Sequence, residues 1–276
     1  MFMLTATGCQ RAAPSKAYPI RGQVLAVHAD RQQITIRHED IPGYMPGMTM
    51  TFPVSKPELL AGREPGELVV ATLEVADALG RLTTIERTGF APLPTDSNAA
   101  AMAGNLLNVG DALPDAAFVD QGDERRSIAE WRGSVTMLTF IYTRCPLPNF
   151  CPLMDRHFAA LQAAIAADER LRGKVKLLTV SFDPEFDTPA VLAAHAARLK
   201  ADPAVWTFLT GDRATVDRFA ARLGVGLVRP SSSPEITHNL RTALVDADGK
   251  IVHIYSGNEW TPAKALDDIR AAVRLP

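Results

Sequence analysis

Cys145 and Cys151 are separated by five residues in Thr143-Arg144-Cys145-Pro146-Leu147-Pro148-Asn149-Phe150-Cys151-Pro152. Two thiols so placed can do two kinds of chemistry: as thiolates they hold a soft metal ion such as Cu(I) or zinc, and as a pair they interconvert with a disulfide. The two chemistries are linked, because oxidation removes the ligands. Pro146 and Pro148 stiffen the loop and remove backbone donors. Pro152 suits the first turn of a helix, so Cys151 is expected to feel the positive end of the helix dipole and to favour the thiolate.

A second concentration of soft donors lies in His38-Glu39-Asp40-Ile41-Pro42-Gly43-Tyr44-Met45-Pro46-Gly47-Met48-Thr49-Met50, which holds three of the eight methionines beside a histidine. Met48 and Met50 alternate along an expected strand and so share a face. Thioether sulfur with imidazole suits Cu(I) or silver and is a poor site for zinc or calcium. His38, Met48 and Met50 are therefore candidate ligands, with Met45 as a further sulfur; filling of a barrel core is the competing use of the methionines.

Six histidines occur in the chain. His157 and His195 fall on expected helices and His28 and His253 on expected strands, where packing or surface exposure accounts for them. His238 differs. It follows the loop from Pro230 to Pro234 and precedes a strand, a place from which an imidazole can reach the two cysteines. Asp246-Ala247-Asp248-Gly249 reads as a hairpin turn, since the other ligand positions of a calcium loop are missing.

The elements that must position these residues change character along the chain. From Tyr18 to Thr88 the sequence predicts five short strands, at 20–27, 33–38, 48–54, 68–75 and 81–88, separated by turn residues. That pattern makes a small all-β barrel, OB-like or up-and-down. Residues 89–108, with prolines and an alanine run, read as a linker. Beyond Gly110, strands alternate with helices. The buried run Val135 to Tyr142 precedes a helix with Met154, Phe158, Leu161 and Ile165 on one face. Strands follow at 175–182 and 206–209, and helices open at Thr188-Pro189 and Thr261-Pro262 by the same capping logic. A helix from Ala214 to Leu223 stops at Gly224. Two last strands, 242–245 and 251–255, form a hairpin. This order predicts an α/β, thioredoxin-like sheet, with both cysteines at the carboxyl end of a central strand, where open α/β sheets place their chemistry.

The chain as a whole sets bounds. Its 276 residues, 47% of them hydrophobic, are enough for two cores. A net charge of −2, from 29 basic and 31 acidic residues, offers no footprint for nucleic acid. No apolar run has the length of a membrane-spanning helix. The start, Met1 to Cys9, resembles the tail of a bacterial lipoprotein signal, which would make Cys9 a lipid anchor and place the protein outside the cytoplasm as a periplasmic or membrane-anchored lipoprotein; it lacks the basic n-region and full apolar core of such a signal.

Tyr142-Thr143-Arg144-Cys145-Pro146 through Cys151-Pro152, Ser181-Phe182-Asp183-Pro184-Glu185-Phe186-Asp187-Thr188-Pro189, and His238 ahead of Leu244-Val245-Asp246-Ala247-Asp248-Gly249 resemble the Sco/SenC family. The resemblance implies a thioredoxin-like fold and one copper held by Cys145, Cys151 and His238, with Asp183 as a supporting residue. It also implies delivery of copper to the dinuclear centre of cytochrome c oxidase subunit II, or to another copper-protein acceptor. The family motif places three residues between its cysteines; here there are five. Residues 18–88 resemble the CusF-like copper- and silver-binding domain, implying His38, Met48 and Met50 as ligands. That family caps its ion with a tryptophan, which this segment lacks; Tyr44 or Met45 stands near its place.

The expected organisation is thus 1–17 signal-like, 18–88 CusF-like barrel, 89–108 linker and 109–276 thioredoxin-like. The expected function is extracytoplasmic copper binding and delivery. The alternative is a thiol–disulfide oxidoreductase that uses Cys145 and Cys151 as its redox pair to keep a partner's copper-site cysteines reduced. A peroxiredoxin-type peroxidase fits poorly, because Thr143-Arg144 lies on the wrong side of Cys145 for that motif.

Overall fold

The computed structural model describes residues 15–45, 47–76, 79–93, 106–229 and 234–273. Cys9 lies outside them. Two sheets organise these residues, each around its own apolar cluster.

The first sheet has five antiparallel strands in the order β3-β2-β1-β4-β5: β1 (Lys16–His28), β2 (Gln33–His38), β3 (Met48–Pro53), β4 (Glu67–Ala76) and β5 (Leu79–Phe90). Ile20, Val24, Ile34, Ile36, Leu73 and Leu82 fill its interior, as β-branched and aliphatic residues on one face of a pleated strand do. The sheet curls towards closure: just past β3, Val54 bridges Leu82 of β5, and Ser55 N donates to Leu82 O at 2.8 Å. This is the all-β, OB-like unit expected from the strand spacing.

The second sheet has seven strands in the order β14-β13-β8-β9-β10-β6-β7. Its centre is β8 (Val135–Ile141), buried at every position, beside β9 (Val175–Ser181) and β10 (Trp206–Thr210), all parallel. Strands buried on both faces need continuous apolar runs, which is what Val135 to Tyr142 supplies. β13 (Arg241–Val245) and β14 (Ile251–Ser256) extend one side as an antiparallel hairpin. On the other side stand β6 (Ala117–Asp120) and β7 (Arg125–Ser127), a hairpin the sequence reading did not contain, because strands of three and four residues with an Arg-Arg pair carry almost no alternation.

The helices are α1 (Cys151–Ala167), α2 (Pro189–Leu199), α3 (Arg213–Arg222) and α4 (Pro262–Val273). Met154, Phe158, Leu161 and Ile165 form the buried face of α1. Thr188 caps α2 through its side chain, accepting from Val191 N, and Gly224 past the end of α3 takes the positive φ, 78°, that ends helices. A two-stranded piece, β11 (Leu227–Val228) with β12 (Thr237–His238), sits beside the main sheet.

The two units are docked. β3, an outer strand of the first sheet, lies against β11 and β12 of the second unit, which covers an edge that would otherwise invite pairing with another chain. Gly226 makes the approach possible: a Cβ there would stand 2.2 Å from Thr49 O. Arg241 reaches across the interface and donates from Nη2 to Thr51 O at 3.1 Å. The stretch expected as a linker is partly structured, with β5 running to Phe90 and with Leu106 and Leu107 buried; residues 94–105 lie outside the described part.

Candidate metal centre

The chain turns sharply after β8. Thr143 N donates to Asp187 Oδ2 at 3.0 Å, Thr143 Oγ1 donates to Asp187 Oδ1, and Ser181 Oγ donates to Asp187 Oδ2. Asp187 is wholly buried. Its neighbour Asp183, 2% exposed, accepts from Arg144 Nε at 2.7 Å, and the Arg144 guanidinium lies over the Phe186 ring. The segment 181–189 is therefore a carboxylate clamp on the two residues ahead of Cys145. Asp183 touches Arg144 rather than either sulfur.

Within that frame Cys145, Cys151 and His238 come together, with one potential ligand atom from each lying within 4.8 Å of the others. Cys145 is partly exposed within the loop that joins β8 to α1; Cys151, at the start of α1, is 1% exposed. Cys151 Sγ is 3.6 Å from His238 Nε2. Phe182, Tyr142 and Phe150 wall in the imidazole, with ring centroids 4.6, 5.7 and 5.7 Å away.

The hydrogen bonding of His238 fixes what it can offer. Its Nδ1 is 3.0 Å from Asn239 O, an acceptor only, so Nδ1 donates there and Nε2 is the nitrogen turned towards the sulfurs. Asn239 is itself held, with Oδ1 accepting from Gly226 N at 2.7 Å and Nδ2 donating to Gly224 O at 2.8 Å. Such outer partners set a ligand's orientation.

The two thiols differ in a way that reverses the expectation from the helix dipole. Cys145 is the thiolate: the hydrogen bond from the Cys151 thiol, helped by one from His238 and by backbone N–H groups of Leu147 and Cys151, pulls it down to about 4 against the cost of burial. Burial pushes the Cys151 thiol well up, and the nearby Cys145 charge adds to this. The helix N-terminus does stabilise a thiolate, but through an N–H aimed at the preceding cysteine. The Cys151 proton thus sits between the Cys145 thiolate and His238 Nε2. A Cu(I) ion taking its place would meet two sulfurs and a nitrogen, a soft set of the kind that selects such ions.

The first unit repeats part of this arrangement. His38 pairs across the sheet with Met48, and Ile36 with Met50, so His38, Met48 and Met50 share one face. They are 3%, 4% and 7% exposed. His38 Nδ1 is 2.7 Å from Glu39 O and so donates there; Nε2 is buried with no hydrogen-bond partner. Burial lowers the His38 pKa and keeps the ring neutral. A buried lone pair without a donor is costly unless something occupies it. Met45 packs at the rim of this cluster, beside Tyr44, which is stacked on Tyr18 at 4.5 Å.

The other histidines have local partners. His28 meets Thr35 Oγ1 at 3.1 Å, His195 meets Asp155 Oδ2 at 3.0 Å, His157 packs on Trp260 and His253 on Tyr255.

Comparison with known proteins gives a match between residues 112–274 and the SCO1/SenC family model. The chain belongs to the SCO1/SenC family. Residues 17–87 match the model described as copper binding periplasmic protein CusF. A SCO1 protein homolog of Bacillus subtilis is 31% identical over 161 residues, covering 57% of this chain and 81% of that protein. The solved structure of BsSco, described as a Sco family member with a disulfide switch, superposes with a TM-score of 0.53 at 27% identity, covering 62% of this chain and 99% of that one. Copper-bound ScoI of Arabidopsis thaliana, 20% identical over 59% of this chain and 99% of its own, shares the fold with a TM-score of 0.52. The SCO1/SenC domain is thus joined to an all-β unit of a copper-binding family, and copper is the metal that the comparisons and both donor sets support.

The sequence reading missed Asp187 and Phe150. The first was legible as a second acid in the Asp183 segment; the role of Phe150 depends on how the two units dock.

Proposed function

We propose that the protein is an extracytoplasmic metallochaperone that carries Cu(I) on Cys145, Cys151 and His238 and delivers it to the dinuclear copper site of cytochrome c oxidase subunit II or a similar acceptor. The convergence of two sulfurs and an imidazole nitrogen within 4.8 Å carries this reading. BsSco, which resembles this chain, is described as belonging to a family of cytochrome c oxidase assembly proteins, and the CusF family is described as periplasmic. His38, Met48 and Met50 are the second copper site. Among the described residues no helix is long and apolar enough to cross a membrane; attachment at Cys9 by a lipid is part of the same proposal.

Copper here is cargo, so the residues must release it as well as bind it. Partial exposure of Cys145 leaves that sulfur open to an acceptor thiolate, while buried Cys151 and His238 hold the ion from behind. Metal analysis tests the proposal. Protein purified without chelator should carry copper at both sites, Cys145→Ser should lose one equivalent and Met48→Leu/Met50→Leu the other. Apo subunit II domain should acquire copper from the wild-type chain; retention of copper by the donor would remove the delivery claim.

The thiolate–thiol asymmetry also favours a second reading. A partly exposed, low-pKa Cys145 and a buried Cys151 have the chemistry of an attacking and a resolving thiol, as a disulfide reductase acting on a partner would need. Turnover of an oxidised acceptor peptide by metal-free protein would support it.

A further inference from the structure

Phe150 belongs to both halves of the molecule. It is the residue before Cys151, its ring meets the His238 ring edge-on at 5.7 Å, and the same side chain packs against the core of the first sheet. A pocket of about 40 Å³ lies at this contact, lined by Met45, Met48 and Met50 on one side and by Phe150, Asn239 and Leu240 on the other. That volume exceeds the roughly 10–15 Å³ a water needs, so a bare monovalent ion fits. Met45 and Met50 also border a much larger cleft between the two units, of about 630 Å³. Met45 and Met50 therefore border two spaces, a broad one and a small one, and the small one is lined on its far side by Phe150, whose ring touches His238.

We infer that the two sites are the ends of one intramolecular copper path, with Phe150 as its gate. The inference rests on the proposed copper reading of both sites. Cu(I) enters from the cleft onto Met45, Met50 and Met48 with His38, and leaves through the small pocket when the Phe150 ring swings aside. The ion stays monovalent throughout. Its bonds to thioether sulfur and to His38 Nε2 break, bonds to Cys145 Sγ, Cys151 Sγ and His238 Nε2 form, and the Cys151 proton passes to water. Neutral thioether donors are exchanged for two anionic sulfurs, so the direction is set by charge. Both sites lie on one chain, so the transfer is first-order, and the docked interface holds donor and acceptor at a fixed separation that a tether alone would leave to chain diffusion.

Phe150 contributes no ligand atom, which separates a gate from a ligand: its replacement should change the rate of transfer more than it changes the affinity of either site. The test mixes the reduced full-length chain with one equivalent of Cu(I) as its weak acetonitrile complex, without oxygen. The near-ultraviolet absorption of copper–thiolate bonds is followed in time. In the wild type this absorption should grow at a rate independent of protein concentration, and Met48→Leu/Met50→Leu should make it depend on concentration. Phe150→Ala should speed the first-order step by roughly tenfold or more, Phe150→Trp should slow it, and Phe150→Leu, which keeps an apolar contact should alanine unfold the interface, should fall between alanine and wild type. Competition with a Cu(I) chelator should show that the order of rates among the four does not follow the order of their end-point affinities. A rate indifferent to residue 150, or proportional to protein concentration in the wild type, overturns the gate while copper at the cysteines stands. Absence of thiolate absorption in every protein overturns the copper reading and the gate together.

Discussion

His38 and His238 are orientated alike: each lies within 3.0 Å of the backbone carbonyl of the residue that follows it and donates there through Nδ1, which leaves Nε2 as the nitrogen free to meet a metal. The two imidazoles stand on unrelated sheets, so the likeness reflects a shared requirement. A copper ligand must be neutral and held in one tautomer, and a carbonyl one residue away is the nearest device for both.

Removing either lone pair should therefore cost metal rather than fold. His238→Ala is expected to lose the copper held with Cys145 and Cys151 and to keep that held with Met48 and Met50; His38→Ala should do the reverse. Copper stoichiometry after gel filtration, with circular dichroism on the same samples, checks both.

Cys145 should react as a thiolate far below the usual thiol range. Its pKa is pulled down to about 4, so in the reduced, metal-free protein the charged form predominates above that pH, and alkylation by iodoacetamide should stay nearly flat down to pH ~5 and fall as pH drops through the pKa. Cys151, pushed up by burial, should remain unmodified over the same range. Peptide mapping by mass spectrometry distinguishes them.

Much of this architecture is legible in the sequence. The alternation in Gln33 to His38 and Met48 to Val54 placed two strands and one donor face, because side-chain period and pleat are the same fact. The continuous apolar run at Val135 marked the central strand and so the place of Cys145. What could not be read was anything set by contacts distant in sequence. The polarity of the thiol pair depends on which backbone N–H groups the loop 146–150 turns inward. The docking of β3 on the second unit depends on Gly226, a residue with no signature of its own.

Gly226→Val should wedge the units apart, since even a Cβ meets Thr49 O at 2.2 Å. An overpacking cost of about 1–3 kcal/mol is expected, falling on the interface. Small-angle scattering should report a larger radius and limited proteolysis a faster cut between the units, with copper still bound by each.

Asp187→Ala removes the acceptor for Thr143 N, Thr143 Oγ1 and Ser181 Oγ together. Leaving such buried donors unpaired should destabilise the second unit by about 3 kcal/mol or more, measurable by urea unfolding. Asp183→Asn, which frees Arg144 on a partly exposed side, should cost much less.

X-ray absorption at the copper edge of protein loaded with one equivalent of Cu(I) tests the central claim most directly. The account predicts that wild-type protein shows two short thiolate sulfurs and one imidazole nitrogen around copper, and that Cys145→Ser shifts the ion to longer thioether sulfurs with one nitrogen. A wild-type spectrum without thiolate sulfur, or one unchanged by His238→Ala, would contradict it.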